Sequence, residues 1–266
     1  MLLEEFDPNK NAMINPFDIV ERREDVPKIA VSCFSRIIFD RLLNELQGEH
    51  IATISVANLD IPIYKVTYHG IDIAIFNSYV GASGCVGVLE EIFAMGVEQL
   101  VLFGDCGVLN ADIEDCSIII PTAALRDEGT SYHYATAGDE LAVNEKYVEE
   151  FILILNRYKC TYTVGKVWTT DAFYRETKEK VKRRKENGCI CVDMECSAVT
   201  ALAKFREKEV FYFFYAADNL DNDEWEARSL VYTKKVLEKN TIGQLAMEMA
   251  ERITKKRERL YEDYGF

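Results

Sequence analysis

Proline is scarce in this chain, 5 residues in 266, and none lies in a Ser- or Gly-rich tract that could act as a linker. With no low-complexity segment or internal repeat either, nothing marks a domain boundary, and residues 1–266 read as a single domain long enough to bury a large core. Histidine is scarcer still: His50, His69 and His133 stand alone, and the 8 cysteines contain no CxxC pair. That spacing supports neither a metal site nor a disulfide framework. Free buried thiols in a reducing compartment explain the cysteines better, so a cytoplasmic protein is expected. Long apolar runs are missing, which excludes a membrane-spanning helix. The opening MLLEEFDPNK is acidic and lacks an apolar segment, so no signal peptide is expected there. Positive charge is in deficit: 31 Lys and Arg against 45 Asp and Glu, a formal net charge of −14. A nucleic-acid partner, whose affinity comes largely from cations on phosphates, is therefore not expected. The basic runs KEKVKRRKENG and TKKRERLYEDYGF mix in acids at helical spacing and read as solvated helix faces.

What is present is an alternation of apolar strands and amphipathic helices. KIAVSC (28–33) reads as a strand, followed by a helix over 35–47. Strands at 51–57, 62–67 and 71–78 come next, the last two joined through His69-Gly70 as a hairpin. A helix with Val88, Leu89, Ile92, Phe93 and Met95 on one side ends at Gly96, a C-terminal cap. LVLFG (100–104) is a buried strand predicted to run into a glycine-containing loop, GDCGVL. Strands at 117–120 and 161–168 bracket a helix over 144–158, and a basic helix follows near 176–186. CICV (189–192) is a strand, with a helix from Ser197. FYFFYAAD (211–218) is another buried strand, and a long helix fills most of 227–257. This order predicts an α/β fold with helices on both sides of a central sheet, mixed because three strands follow one another at 51–78.

Polar clusters fall at the ends of the apolar strands: Gly104-Asp105-Cys106-Gly107, Thr169-Thr170-Asp171-Ala172-Phe173-Tyr174, Asp193-Met194-Glu195 and Asp218-Asn219. In open α/β sheets ligands bind at strand ends, where helix N-termini also point. A carboxylate pair such as Asp193 and Glu195 at a strand-to-helix junction can equally cap the helix.

Taken in order, GASGCVGVLEEIFAMGV, LVLFGDCGVLN, LRDEGTSYHY, TTDAFY, VDMECSAV and AADN resemble the nucleoside phosphorylase/nucleosidase family from about residue 28 to 230. The resemblance implies cleavage of the N-glycosidic bond of a nucleoside and the nucleoside phosphorylase fold. It implies a ribose site at Glu195, Met194 and Asp193, the second glutamate of the family's Glu-Met-Glu falling on Glu195. A carboxylate accepts strongly from sugar hydroxyls, and a thioether lies well on an apolar ring face. Phe173 matches the family's base-stacking position, with Tyr174 and Thr170 beside it in the base site. Asp218 matches the acid that serves purine N7 in the purine-cleaving branch, with Arg228 as a candidate partner. Thr177 stands where uridine phosphorylases carry a glutamine, so a purine nucleoside is the favoured small-molecule substrate.

The family's phosphate site is degenerate here. SCFSR retains Arg36, but Ser32 and Phe34 replace a glycine and a proline. LFGD puts Leu102 at an arginine position, keeps Gly104, and places Asp105 where a hydroxyl residue is usual. An arginine lent by a neighbouring subunit falls on Ala57, and a histidine on Phe17. Arg36, Ser32, Gly104 and Asp105 are thus candidates for a phosphate or water site. Phosphorolysis, with inorganic phosphate as co-substrate, is the family's commonest reaction. Hydrolysis without phosphate, a uridine-cleaving enzyme and a non-catalytic nucleoside-binding relative are the competing readings. The resemblance also implies a homo-oligomer, with no cofactor and no metal.

Overall fold

The computed structural model describes residues 2–230 and 235–264. A short helix α1 (Pro16–Ile19) leads to β1 (Ile29–Cys33), α2 (Arg36–Glu45), β2 (Glu49–Val56), β3 (Leu59–Tyr68), β4 (Ile71–Asn77) and α3 (Ala82–Met95). The chain continues through β5 (Gln99–Val108), β6 (Ile118–Asp127), β7 (Glu140–Ala142), α4 (Val148–Tyr158), β8 (Tyr162–Thr170) and α5 (Lys178–Glu186). It ends with β9 (Cys189–Asp193), α6 (Cys196–Arg206), β10 (Glu209–Asn219) and α7 (Val236–Tyr264). No helix among the described residues is long and apolar enough to cross a membrane.

All the strands form one mixed sheet in the order β10-β6-β8-β9-β5-β1-β4-β3-β2, with β7 on β6. Strand β10 also pairs with β5, so β5, β10, β6, β8 and β9 close into a ring. β5 and β10 run parallel from Gln99↔Glu209 to Val108↔Asn219, with a register shift between Ala216 and Asp218. The β2–β3–β4 meander is antiparallel throughout, the hairpin turning at Gly70 with φ of 82°.

Alternate residues of β5 explain the layers. Leu100, Leu102 and Cys106 pack with Val88, Leu89 and Ile92 of α3 and Val199 and Leu202 of α6. Val101 and Phe103 pack on the other face with Ile38 and Leu42 of α2, Phe151 and Ile154 of α4, and Leu245 and Ile253 of α7. A strand covered on both faces must be apolar at nearly every position, which is why LVLF and FYFF show no polar alternation. Phe103 of β5 and Phe213 of β10 stack with ring centroids 5.1 Å apart. All eight cysteines are free thiols.

Several elements differ from the sequence expectation, and the strand expected at 117–120 runs on to Asp127. GDCGV is strand, not loop: β5 pairs with β10 throughout, and Gly107 and Val108 pair with Val192 and Cys191 of β9. Asp105 therefore projects from a strand, partly buried, instead of riding on a loop. The helix expected from residue 144 begins at Val148, because Asn144 and Tyr147 both take positive φ, and Asn144 bonds the backbone of Tyr212 in both directions. Strand β7, three residues long, has too little pattern to be read from sequence.

Candidate active site

The site is built where β5, β8, β9 and β10 end, from the four polar clusters. Asp193 closes β9 and is buried. Its Oδ2 accepts the amides of Glu195 (2.8 Å) and Cys196 (2.6 Å), and its Oδ1 accepts the Thr169 hydroxyl (2.7 Å). Oδ2 thereby satisfies amides at the start of α6 that no helix can pair internally, while Oδ1 ties the junction to β8. The hydrogen bonds continue: Ser197 N–H donates to Thr169 Oγ1 (3.1 Å), and Ser197 Oγ to Glu128 Oε1 (2.8 Å). Asp193, expected in the ribose set, thus has both oxygens engaged within the chain, at the helix start and on Thr169. Burial raises its carboxyl to about 6 despite those donors, with Glu128 adding to the rise.

Glu195 points the other way. Its Oε1 accepts the amide of Gly81 (2.6 Å), the residue before α3. Gly81 has φ of 97°, a conformation that favours glycine, and this brings its N–H onto the carboxylate. Glu195 is buried and its carboxyl is pushed well above the ordinary range, first by burial, then by the charge of Asp193. Met194, between the two acids, is partly exposed.

Asp218 ends β10 opposite Gly107 of β5. A Cβ on Gly107 would lie 3.1 Å from Asp218 Oδ1 and 2.4 Å from Leu220 Cδ1, so the glycine makes room for the carboxyl. Asp218 Oδ2 accepts the indole N–H of Trp225 at 2.8 Å, and the Trp225 side chain is otherwise exposed (61%). Burial raises the Asp218 carboxyl; Trp225 opposes the rise and the charge of Asp105 adds to it. Arg228 is not the hydrogen-bond partner expected for Asp218. Its guanidinium donates to the carbonyls of Ile113 (2.8 Å) and Ala111 (3.5 Å) and lies 3.6 Å from Glu226. It acts on Asp218 only through its field, because φ of 37° at Arg228 and the loop before it turn the side chain toward 111–113.

Phe173 and Tyr174 lie on a short 3-10 turn after β8, with ring centroids 4.1 Å apart. They are 50% and 88% exposed, which makes them aromatics that no core interaction explains. Thr170 is buried, its hydroxyl accepting the amide of Ala172 at 3.3 Å. Trp168, fully buried below, donates its indole N–H to Asp127 (3.0 Å), which Lys180 (3.2 Å) and Arg184 (3.1 Å) also bind.

The candidate phosphate side is poor in free cations. Arg36 has a 78% exposed side chain and lies 3.6 Å from Asp40, one turn along α2, not beside Asp105. Ser32 is buried, its hydroxyl donating to the Phe76 carbonyl (2.8 Å) or sharing a hydrogen bond with Ser78 Oγ (2.7 Å). The Phe34 ring covers Gly104, where a Cβ would meet Phe34 Cδ2 at 2.8 Å. Arg126 of the RDEGTS segment is committed to its own loop, donating to Ser131 Oγ (2.8 Å) and to the carbonyls of Thr136 (2.7 Å) and Gly138 (3.1 Å). Asp105 is raised by burial and opposed by the charge of Lys239, a buried lysine of α7 that donates to the Ser229 carbonyl at 2.6 Å. Ala57, at the neighbour-arginine position, sits in the turn between β2 and β3.

Sequence reasoning missed Trp225, Gly81, Lys239 and Glu176 as neighbours of the site. Trp225 carried a signal, a lone indole in the acidic loop NLDNDEWEAR. Glu176 and Lys239 sit inside charged runs where nothing separates them from solvated neighbours.

The profile of the Phosphorylase superfamily matches residues 28–255. A guanosine phosphorylase of Halorubrum lacusprofundi is 29% identical over 147 residues, 55% of this chain and 61% of that protein. A DeoD-type purine nucleoside phosphorylase of Buchnera aphidicola is 24% identical over 164 residues, 61% of this chain and 70% of that protein. The chain thus spans about three fifths of the first of these relatives. A solved purine nucleoside phosphorylase of Toxoplasma gondii, in complex with immucillin-H, superposes with a TM-score of 0.75 at 17% identity, covering 88% of this chain and 94% of that one. A uridine phosphorylase of Vibrio fischeri superposes with a TM-score of 0.72 at 20% identity, covering 92% and 99%. At these identities the superpositions establish the shared fold.

Proposed function

The chain belongs to the phosphorylase superfamily, and on that premise we propose that it cleaves the N-glycosidic bond of a purine nucleoside, with inorganic phosphate as acceptor. One observation carries the reading: Glu195 beside the end of β9 and Asp218 near the end of β10 both have carboxyls raised by burial and by the charge of Asp105. Glu195 has one oxygen tied to Gly81 N–H, which leaves the other for sugar hydroxyls. Asp218, its carboxyl raised by burial, is suited to give a proton.

In the reaction the C1′–N9 bond breaks and its electron pair moves onto the base. Asp218 delivers its proton to N7, so the purine leaves neutral, and the Trp225 N–H steadies the carboxylate that remains. The sugar becomes oxocarbenium-like, and the Glu195 oxygen not bound to Gly81 accepts from its hydroxyls. Phe173 supplies an exposed ring face for the base. The acceptor oxygen then bonds to C1′ from the Asp105 side.

Water is the second reading for the acceptor, favoured by a specific arrangement. Arg36 is on the surface with Asp40, Arg126 is bound to its own loop, and Phe34 covers Gly104. A charge-assisted contact is worth roughly 1.5–3 kcal/mol, so loss of two arginines weakens phosphate binding by orders of magnitude. Asp105 would then orient the water.

Base release from inosine, adenosine and uridine, in phosphate-free buffer and after adding phosphate, tests both. We expect purine release that requires phosphate and yields ribose 1-phosphate. Release at the same rate without phosphate establishes the hydrolytic reading. Release from uridine alone overturns the purine assignment, and no release from any nucleoside leaves a binding protein.

A further inference from the structure

Strands β5 and β10 end at the site described above, and they begin, at Gln99 and Glu209, beside a groove of about 1150 Å³ lined by charged side chains. At about 3.3 Å per residue, the run from Glu209 to Asp218 spans about 30 Å, so the groove is remote from the reaction. Measured contacts join its walls. The Glu209 N–H donates to the Glu98 carbonyl at 3.1 Å. Glu209 Oε2 accepts the Tyr147 hydroxyl (3.0 Å) and the Gln99 side-chain amide (2.8 Å), and Glu98 Oε1 accepts the Lys28 ammonium (2.8 Å). Arg257 also pairs with Glu98, and Lys256 with Glu150. Tyr147 takes φ of 70°, a costly conformation for an aromatic residue, and its ring centroid lies 5.2 Å from the Lys256 ammonium.

Lys208 is the exception among these charges. It lines the groove partly buried, its ammonium has no ion pair among the described residues, and it lies 5.9 Å from the Phe93 ring centroid. Burial lowers its proton affinity first; Glu98 opposes, and Arg22, Lys28 and Arg257 lower it further. The carboxylates around it are already engaged: five of the six glutamates lining the groove hold a cation. The first residues of α4 line the same groove, and no side chain caps that helix, which leaves its opening amides for an outside acceptor.

We propose that this groove binds a phosphoryl group, free or carried by a small molecule, between Lys208 and the start of α4. The inference goes beyond the cleavage reaction and does not depend on it. A phosphoryl group brings nearly two negative charges and three strong acceptor oxygens. One such group can therefore take an ammonium and helix amides together, and helix N-termini favour anions. Its charge offsets the surplus that Arg22, Lys28 and Arg257 impose on Lys208. A carboxylate, with one charge and two oxygens, meets that surplus less fully. The groove is also roomy enough for a molecule of nucleotide size.

Calorimetric titration of the wild-type chain with ADP and, separately, with inorganic phosphate tests this. Saturable binding is expected, weakened about tenfold or more in Lys208→Met and kept in Lys208→Arg. Inorganic phosphate binding as tightly as ADP identifies the free ion as the ligand; weaker binding than ADP identifies the ester. No binding of either, or equal binding by the wild type and Lys208→Met, overturns the inference. Amide resonances supply the location. ADP should shift those of Val148 and Lys208 and leave that of Gly81 in place, and shifts at Gly81 with none at Val148 or Lys208 overturn it too. Base release from inosine should be the same in Lys208→Met as in the wild type. A wild-type chain that releases no base bears on the proposed function alone, because binding in the groove is read without turnover.

Discussion

Asp218 has two oxygens with different neighbours, and that asymmetry is the basis of its proposed chemistry. Oδ2 takes the Trp225 N–H, while Oδ1 lies over Gly107, where there is no side chain to crowd it. Asp218→Asn should lower kcat for purine nucleosides by about 10²–10⁴-fold. It should spare a riboside with a good leaving group, such as a nitrophenyl riboside; equal losses on both would argue against proton donation. Trp225→Phe removes a donor that favours the ionised carboxylate, so Asp218 should stay protonated to higher pH. The alkaline limb of kcat/KM, measured on adenosine so that the substrate does not titrate in this range, should then move upward. An unmoved limb would show that Trp225 does not set the proton affinity of Asp218. Glu195→Gln keeps an acceptor for Gly81 but puts an NH2 in place of the second carboxyl oxygen, which loses an acceptor for the sugar, and kcat should drop about 10²-fold or more. None of these pairings was legible from residue types alone. Trp225 and Asp218 are close in sequence, yet only the turn after β10 folds the indole back onto the carboxylate.

At the scale of elements, the start of α6 separates two acids that the sequence presents as equals. Asp193 lies in β9 and meets the first amides of the helix, whereas Glu195 stands at the helix boundary and accepts the amide of Gly81 before α3. Asp193→Ala would leave two amides and the Thr169 hydroxyl without their acceptor. A cost of roughly 1–3 kcal/mol is expected, read as a fall in the urea midpoint with the slope unchanged. A variant as stable as wild type would mean that water or Thr169 takes over the cap. The helix and strand positions themselves were largely legible, because long apolar runs and helical spacing are local signals. The extension of β5 through Gly107 was not. Gly and Asp suggest a turn, and pairing with β10 and β9 overrides that preference through contacts distant in sequence.

For the molecule as a whole, the site is a concentration of carboxyls whose proton affinities are raised. Burial raises Asp105, Asp193, Glu195, Asp218 and Glu176, with Asp193 at about 6 and Glu176 at about 8. A carboxyl raised on folding binds its proton more tightly in the native chain, so its stabilising effect is present at low pH and lost as pH rises through the native value. Unfolding temperature should therefore fall as pH rises from about 6 to 8.5, and the chain's excess negative charge adds in the same direction. Carboxylates held low by ion pairs, such as Glu98 at about 2, are ionised throughout that range and do not reverse the sign. Glu176→Gln should flatten the slope; a wild-type chain equally stable at both pH values would contradict the raised affinities.

By itself, the sequence determined where most strands and helices lie, that both faces of the sheet are covered, and where along the chain the polar clusters fall, since each of these follows from neighbours within a few turns. The order of motifs was enough to suggest the family. Only the tertiary structure decided what each polar residue meets: Asp193 the amides of α6, Asp218 an indole, and Arg36 the surface. Those outcomes depend on strands separated by many residues coming into register, and on which side chains burial leaves without water. Neither is encoded in the spacing of one segment.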